Sequence, residues 1–198
     1  MYFIYNIIFF IIFICYLPVL LVQFIKGKYR EGIGEKFGFL PDVVTDPAGE
    51  RSTIWIQAAS VGETMAARPL IEEIHQEYPE HRLILSTMTE TGRNTAREIE
   101  EVDQVIYFPF DLSFITKRAL KLINPDIVVL IETELWPNFI KYARDLGSKI
   151  TVASGRISDD SIKTYKYIRP LMKKALGKIN KFSMQTEKDA ERIREMGA

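Results

Sequence analysis

Four short stretches of this 198-residue sequence carry side chains that could do chemistry together. They are Ser60-Val61-Gly62-Glu63, Thr87-Met88-Thr89-Glu90-Thr91-Gly92-Arg93, Glu132-Thr133-Glu134-Leu135-Trp136-Pro137-Asn138 and Ser154-Gly155-Arg156-Ile157-Ser158. A carboxylate can take a proton from an attacking hydroxyl or stabilise a developing positive centre. An arginine can grip a phosphate or a sugar-acid carboxylate with two parallel hydrogen bonds. The small residues Ala58, Ala59, Ser60 and Gly62 leave room for a ligand against the backbone. Taken singly, each stretch could also be turn chemistry, because Ser, Thr, Asn, Asp and Gly favour turns. Glu63 reads equally as a first-turn carboxylate favoured by a helix dipole, and Arg156 as half of a structural ion pair. Glu132 resists that account: it follows five apolar residues, where a charge is costly unless paired or functional. Trp136 and Pro137 read as packing residues that fix their loop.

Each stretch follows an apolar run, and those runs must position it. Candidate strands are 54–59, 82–87, 104–108, 126–131, 149–154 and 180–185. Helical patterns fall between them at 63–78, 91–101, 111–123, 137–146 and 160–176. A last helix begins near Thr186, where Asp189 three residues on makes a capping-box-like start. Six βα units predict an α/β fold, a Rossmann-like, mostly parallel sheet with helices on both faces. In such sheets ligands bind at the carboxyl ends of the strands, where all four stretches lie. No G-x-G-x-x-G follows the first strand, which argues against a dinucleotide fingerprint.

Composition narrows the chemistry. The 26 basic and 26 acidic residues balance, so no nucleic-acid partner is implied. Cys15 is the only cysteine and the two histidines are His75 and His81, too few to build a metal centre of histidine and cysteine.

The amino terminus has a different composition. Tyr2 to Ile25 contains only Asn6 and Gln23 as strongly polar side chains. As a helix it spans roughly 36 Å, enough for a hydrocarbon core of about 30 Å. Lys26, Lys28 and Arg30 follow, as expected of an anchor with its basic flank in the cytoplasm. A cleaved signal peptide is the rival; it would need a basic start and a small-x-small site near Ile25, and both are missing. Spanning the bilayer and lying in one leaflet are both open at this level. The expected organisation is an anchor at 1–25, a juxtamembrane segment and linker at 26–52, and a Rossmann-like domain at 53–198. Lys26, Lys28, Arg30 and Lys36 are candidate contacts to anionic lipid head groups, with a plain connector as the alternative.

The four loops resemble those of the Kdo transferases, membrane-anchored enzymes that move 3-deoxy-D-manno-octulosonic acid (Kdo) from CMP-Kdo onto a lipid A precursor. The resemblance runs from the anchor through Gly34-Glu35 and Gly38-Phe39 to Met196-Gly197-Ala198, and Glu-Thr-Glu-Leu-Trp-Pro-Asn beside Ser-Val-Gly-Glu makes it specific. It implies the amino-terminal domain of a GT-B glycosyltransferase of lipopolysaccharide biosynthesis, on the cytoplasmic face of the inner membrane. It also implies Glu63 as general base and Glu132 as transition-state stabiliser. Ser60, Gly62, Thr89, Thr91, Glu134 and Arg156 then become substrate contacts, with no metal and no cofactor. The donor would be held mainly by a carboxyl-terminal half beyond Ala198, so the chain alone is expected to bind acceptor without transferring sugar. Four positions depart from the family pattern. Glu90 stands where proline is usual, Gln57 where histidine is common, and Ser154-Gly155 where Asn-Ala usually precedes the arginine. Two alternatives stay open: a membrane-tethered GT-B transferase of another lipid-linked acceptor, and a non-catalytic binding module.

Overall fold

The computed structural model describes the chain except residues 28–30 and 45–50, with backbone alone at 43, 159–164 and 166–167. Runs rich in Ile, Val and Leu form β1 (Thr53–Gln57), β2 (Arg82–Thr87), β3 (Gln104–Tyr107), β4 (Ile127–Ile131), β5 (Lys149–Gly155) and β6 (Lys181–Met184). They make one sheet in the order β3-β2-β1-β4-β5-β6, and every neighbouring pair is parallel. Each residue of β1 and β2 is buried, as a sheet covered on both faces requires. The strand order reverses beside β1, whose Gln57 stands level with Ser86 of β2 and Leu130 of β4. At such a reversal the connections leave toward opposite faces and open a crevice above the strand ends.

The helices divide between the faces accordingly. α1 (Tyr2–Ile25) and α2 (Ile33–Lys36) precede the sheet. α3 (Val61–Glu77) and α4 (Glu90–Ala96) set Ala67, Ile71 and Ala96 against Ile54, Ile56, Leu83 and Leu85. The other core joins Trp55, Val128 and Ile150 to α5 (Ser113–Ile123), α6 (Pro137–Asp145), α7 (Asp159–Leu176) and α8 (Glu187–Met196) through Ala119, Phe139, Met172 and Ile193. Alternate residues of one strand therefore serve opposite cores. The expected cap of α8 is present: Thr186 Oγ1 accepts from the Asp189 backbone N–H at 3.1 Å.

The segment expected to be a juxtamembrane linker is folded onto the sheet over its described part. The Glu35 carboxylate is 4% exposed, and it accepts from Arg93 at 2.8 Å and from the Tyr107 backbone N–H at 2.7 Å. Gly32, at φ +87°, lies so close to this pair that a Cβ there would meet Arg93 Nη1 at 2.0 Å. Val44 is buried in the core. Lys36 is likewise not a lipid-facing base. It is 7% exposed, donates to the Met88 carbonyl at 2.8 Å and lies over the Tyr107 ring. Burial holds its ammonium down at about 8, with Glu35 opposing that fall. Lys26 is exposed just past α1, whereas Lys28 and Arg30 lie outside the described residues.

Candidate functional site

The first loop rises from β1 at the reversal of strand order. Ser60 caps α3, its Oγ accepting from the Glu63 N–H at 3.4 Å. The Glu63 carboxylate answers by accepting from Ala59 N at 2.7 Å and Ser60 Oγ at 3.0 Å, a reciprocal cap. The first-turn role is therefore real, but it does not exhaust the residue. Burial raises the Glu63 pKa against these hydrogen bonds, and the charge of Glu132 raises it further.

The third loop leaves β4 through a left-handed residue, Glu132 at φ +55°, and β5 ends through another, Ser154 at φ +56°. Each costs roughly 1–2 kcal/mol for a residue with a Cβ, and such strain collects at functional sites. Glu132 N donates to the Ala153 carbonyl at 2.9 Å, tying the two ends together. Glu134 is held by the Trp136 indole N–H at 2.8 Å. Burial lifts its pKa, and the charges of Glu63 and Glu132 add to that. The charges of Glu63, Glu132 and Glu134 thus act on one another above the ends of β1 and β4. Under them lies Gln57, fully buried, with its Oε1 accepting from Ser86 Oγ at 2.5 Å. Its Nε2 makes no hydrogen bond of normal geometry, yet lies close enough to favour ionised Glu134.

The remaining expected residues have unequal freedom. Thr89 caps α4, accepting from Gly92 N at 3.0 Å, and Thr91 donates to it at 3.4 Å from an exposed position. The second loop is pressed on the first: Met88 N donates to the Ala59 carbonyl at 3.0 Å, and a Cβ on Gly92 would lie 3.4 Å from the Ser60 carbonyl carbon. Gly62 is exposed, with only Ser60 Oγ near the place of a Cβ, at 4.0 Å. The fourth loop joins the third where Thr133 Oγ1 donates to the Arg156 carbonyl at 2.6 Å. The Arg156 side chain is exposed, and Asp189 holds the next residue by accepting from Ile157 N at 2.8 Å. Among the described residues no group of three carboxylate, histidine or cysteine side chains is placed to hold a metal ion.

Two supporting residues had no local signature in the sequence. Asp111 is 1% exposed and caps α6 from a different loop. Its Oδ1 accepts from Phe139 N at 2.8 Å, and its Oδ2 accepts from Asn138 N at 3.0 Å and Tyr5 Oη at 2.8 Å. It does this because Trp136, at the cap position, offers no side-chain acceptor. Burial pushes its carboxyl up to about 7 despite those hydrogen bonds. Tyr165 of α7 lies near enough to Glu134 for burial and that charge to raise its phenol together. Neither spacing nor residue type could have linked these positions to the crevice.

Comparison with known proteins gives one consistent result. The family described as 3-deoxy-D-manno-octulosonic-acid transferase (kdotransferase) matches residues 31–198. The 3-deoxy-D-manno-octulosonic acid transferase of Chlamydia pneumoniae is 32% identical over 98% of this chain and 44% of its own length. The protein of that name from Haemophilus influenzae is 30% identical over 93% of this chain and 42% of its own. A bifunctional glycosyltransferase/methyltransferase of Fusobacterium nucleatum is 38% identical over 73% of this chain and 23% of its own. The chain thus spans less than half the length of these relatives.

Proposed function

The chain belongs to the 3-deoxy-D-manno-octulosonic-acid transferase family, and from that premise we propose that its crevice is the acceptor side of a Kdo transfer site in lipopolysaccharide synthesis. A hydroxyl of a lipid A precursor attacks the anomeric carbon of CMP-Kdo. The bond from that carbon to the CMP phosphate oxygen breaks, CMP leaves with the electron pair, and the hydroxyl proton passes to Glu63. The observation that carries this reading is a half-buried carboxylate at the strand reversal whose pKa burial has raised, as a general base needs. Glu132 would stabilise the positive charge that develops on the sugar ring. Exposed Arg156 is the natural grip for the sugar-acid carboxylate or the phosphate. Ser60, Gly62, Thr89, Thr91 and Glu134 line the acceptor's approach. Donor binding falls mainly to a carboxyl-terminal half such as the relatives' extra length provides, and α1 keeps the crevice at the cytoplasmic face of the inner membrane.

The test joins this chain to the carboxyl-terminal half of a relative and follows transfer from CMP-Kdo to lipid IVA. Glu63→Gln should reduce turnover by ~100- to 10,000-fold with membrane association intact. Retention of more than about a tenth of the parent rate would remove Glu63 from the role of base. Glu132→Gln should lower turnover without weakening acceptor binding.

A further inference from the structure

α1 is apolar all round and long enough to cross a membrane by length and composition. Its position in the fold points elsewhere. Tyr2, Tyr5, Phe9, Phe13, Leu17 and Leu20 recur every three or four residues and are shielded by the rest of the chain, Leu20 to 6% exposure. The shielding is specific. Tyr5 donates to the buried Asp111 carboxylate at 2.8 Å, and Asn138 Nδ2 donates to Asn6 Oδ1 at 2.7 Å. The Phe9 ring meets Trp136 edge-on at 6.4 Å, and Phe13 meets Phe110 at 5.1 Å. The strongly polar side chains of the helix, Asn6 and Gln23, both lie on the shielded side. The opposite side is exposed from one end to the other, with Ile4 at 59%, Ile11 at 56% and Val22 at 49%, and it carries no charge.

We propose that α1 does not cross the bilayer but lies in the plane of one leaflet, docked lengthwise on the α/β domain, with its outer apolar face in the acyl region. The α/β domain takes the part that a charged face plays in an ordinary interfacial helix. Lengths decide between the two arrangements. The docked stretch Tyr2–Leu20 is about 28 Å long, and Leu21–Ile25 adds only about 8 Å. A hydrocarbon core of about 30 Å therefore cannot be crossed by the undocked part. Crossing with the docked part would drag Asp111, Asn138 and the polar surface around them into hydrocarbon. The in-plane arrangement leaves every one of these contacts intact and gives the outer face one apolar occupant along its whole length. The Phe9–Trp136 contact then sets the loop holding Glu134 beside the lipid surface. The inference stands on docking geometry and is independent of the transfer reading.

Depth measurement in vesicles tests it without any activity assay. Cys15 is the sole cysteine and is exposed, so Cys15→Ser followed by Ile4→Cys, Ile11→Cys or Val22→Cys gives single attachment points on the outer face. Each is labelled with an environment-sensitive fluorophore in the full chain, bound to phosphatidylcholine–phosphatidylglycerol vesicles. Quenching is read with nitroxides near the head group and near the chain terminus. Circular dichroism confirms that each variant is folded. Equal quenching at all three sites, strongest from the shallow nitroxide, is the expected result. Quenching deepest at Ile11→Cys, with Ile4→Cys and Val22→Cys near opposite surfaces, would establish a spanning helix and overturn the inference. Absence of quenching at all three, together with a sedimenting dimer, would make the face a contact between copies and overturn it equally.

Discussion

At the scale of single residues, Glu63 shows how two readings of one position can both hold. Its type and its place after Ser60 fit a helix cap, and the structure makes that cap from both sides. Spacing could not report the sign of its pKa shift, because that depends on burial supplied by the neighbouring loops and on Glu132, 69 positions away. The dipole of α3 taken alone would suggest a lowered pKa; desolvation wins. Carboxyl resonances of the isolated chain should therefore show Glu63 titrating above its ordinary 4.5. Because the folded pKa is the higher one, folded chains hold this proton where unfolded chains have lost it. Stability consequently falls as pH rises from 4.5 through the raised value, and Glu63→Gln should erase that decline. Glu132→Gln removes a repelling charge and should move the Glu63 titration to lower pH. A Glu63 titration at or below 4.5 would contradict the burial argument.

At the scale of elements, every sequence-expected strand and sheet-domain helix is present with its ends displaced by a few residues. Alternation of apolar runs with amphipathic stretches survives in any packing, which is why it was legible. The caps that depend on distant residues were not. Asp111 sits ahead of α5 and looks like a cap for that helix, yet its acceptors serve α6 and receive Tyr5. A raised folded pKa, about 7 against 3.8, means the fold favours the protonated form. Its contribution to stability should decline as pH rises from 3.8 to about 7, visible as a falling melting temperature over that window. Asp111→Asn should flatten this slope. It should also lower stability by ~1–3 kcal/mol below pH 3.8, since its Nδ2 would face a donor, with the gap narrowing as pH rises toward about 7. An unaltered slope in that variant would place the titration elsewhere.

In the segment 27–50, glycines suggest a connector whether they free the chain or let it pass close to a partner. Gly32 does the second, beside the buried Glu35–Arg93 pair. Glu35→Ala leaves that guanidinium buried and uncompensated and should cost ~3–5 kcal/mol in urea unfolding. A loss under ~1 kcal/mol, the range of an exposed pair, would show the segment to be a loose appendage after all.

At the scale of the molecule, the parallel sheet was legible but its strand order was not, because periodicity fixes the type of an element and not its neighbours. The order matters most for function. It puts the loops after β1 and β4 on either side of one crevice, so that Ser60–Glu63 and Glu132–Trp136 confront each other. Under the proposed function that crevice would receive the acceptor, and the activated sugar would be presented from a facing domain. Holding both reactants in register is worth up to ~7–11 kcal/mol of barrier, which a single domain forgoes. Residues 1–198 by themselves should therefore show a melting shift with lipid IVA, none with CMP, and no transfer. Adding a relative's carboxyl-terminal half in trans should restore CMP-Kdo-dependent transfer. The lipid IVA shift should persist in Glu63→Gln, because its role is in proton transfer rather than in holding the lipid. Robust transfer by residues 1–198 alone would mean that the donor site lies within this sheet, and the assignment of the crevice to the acceptor would have to be reversed.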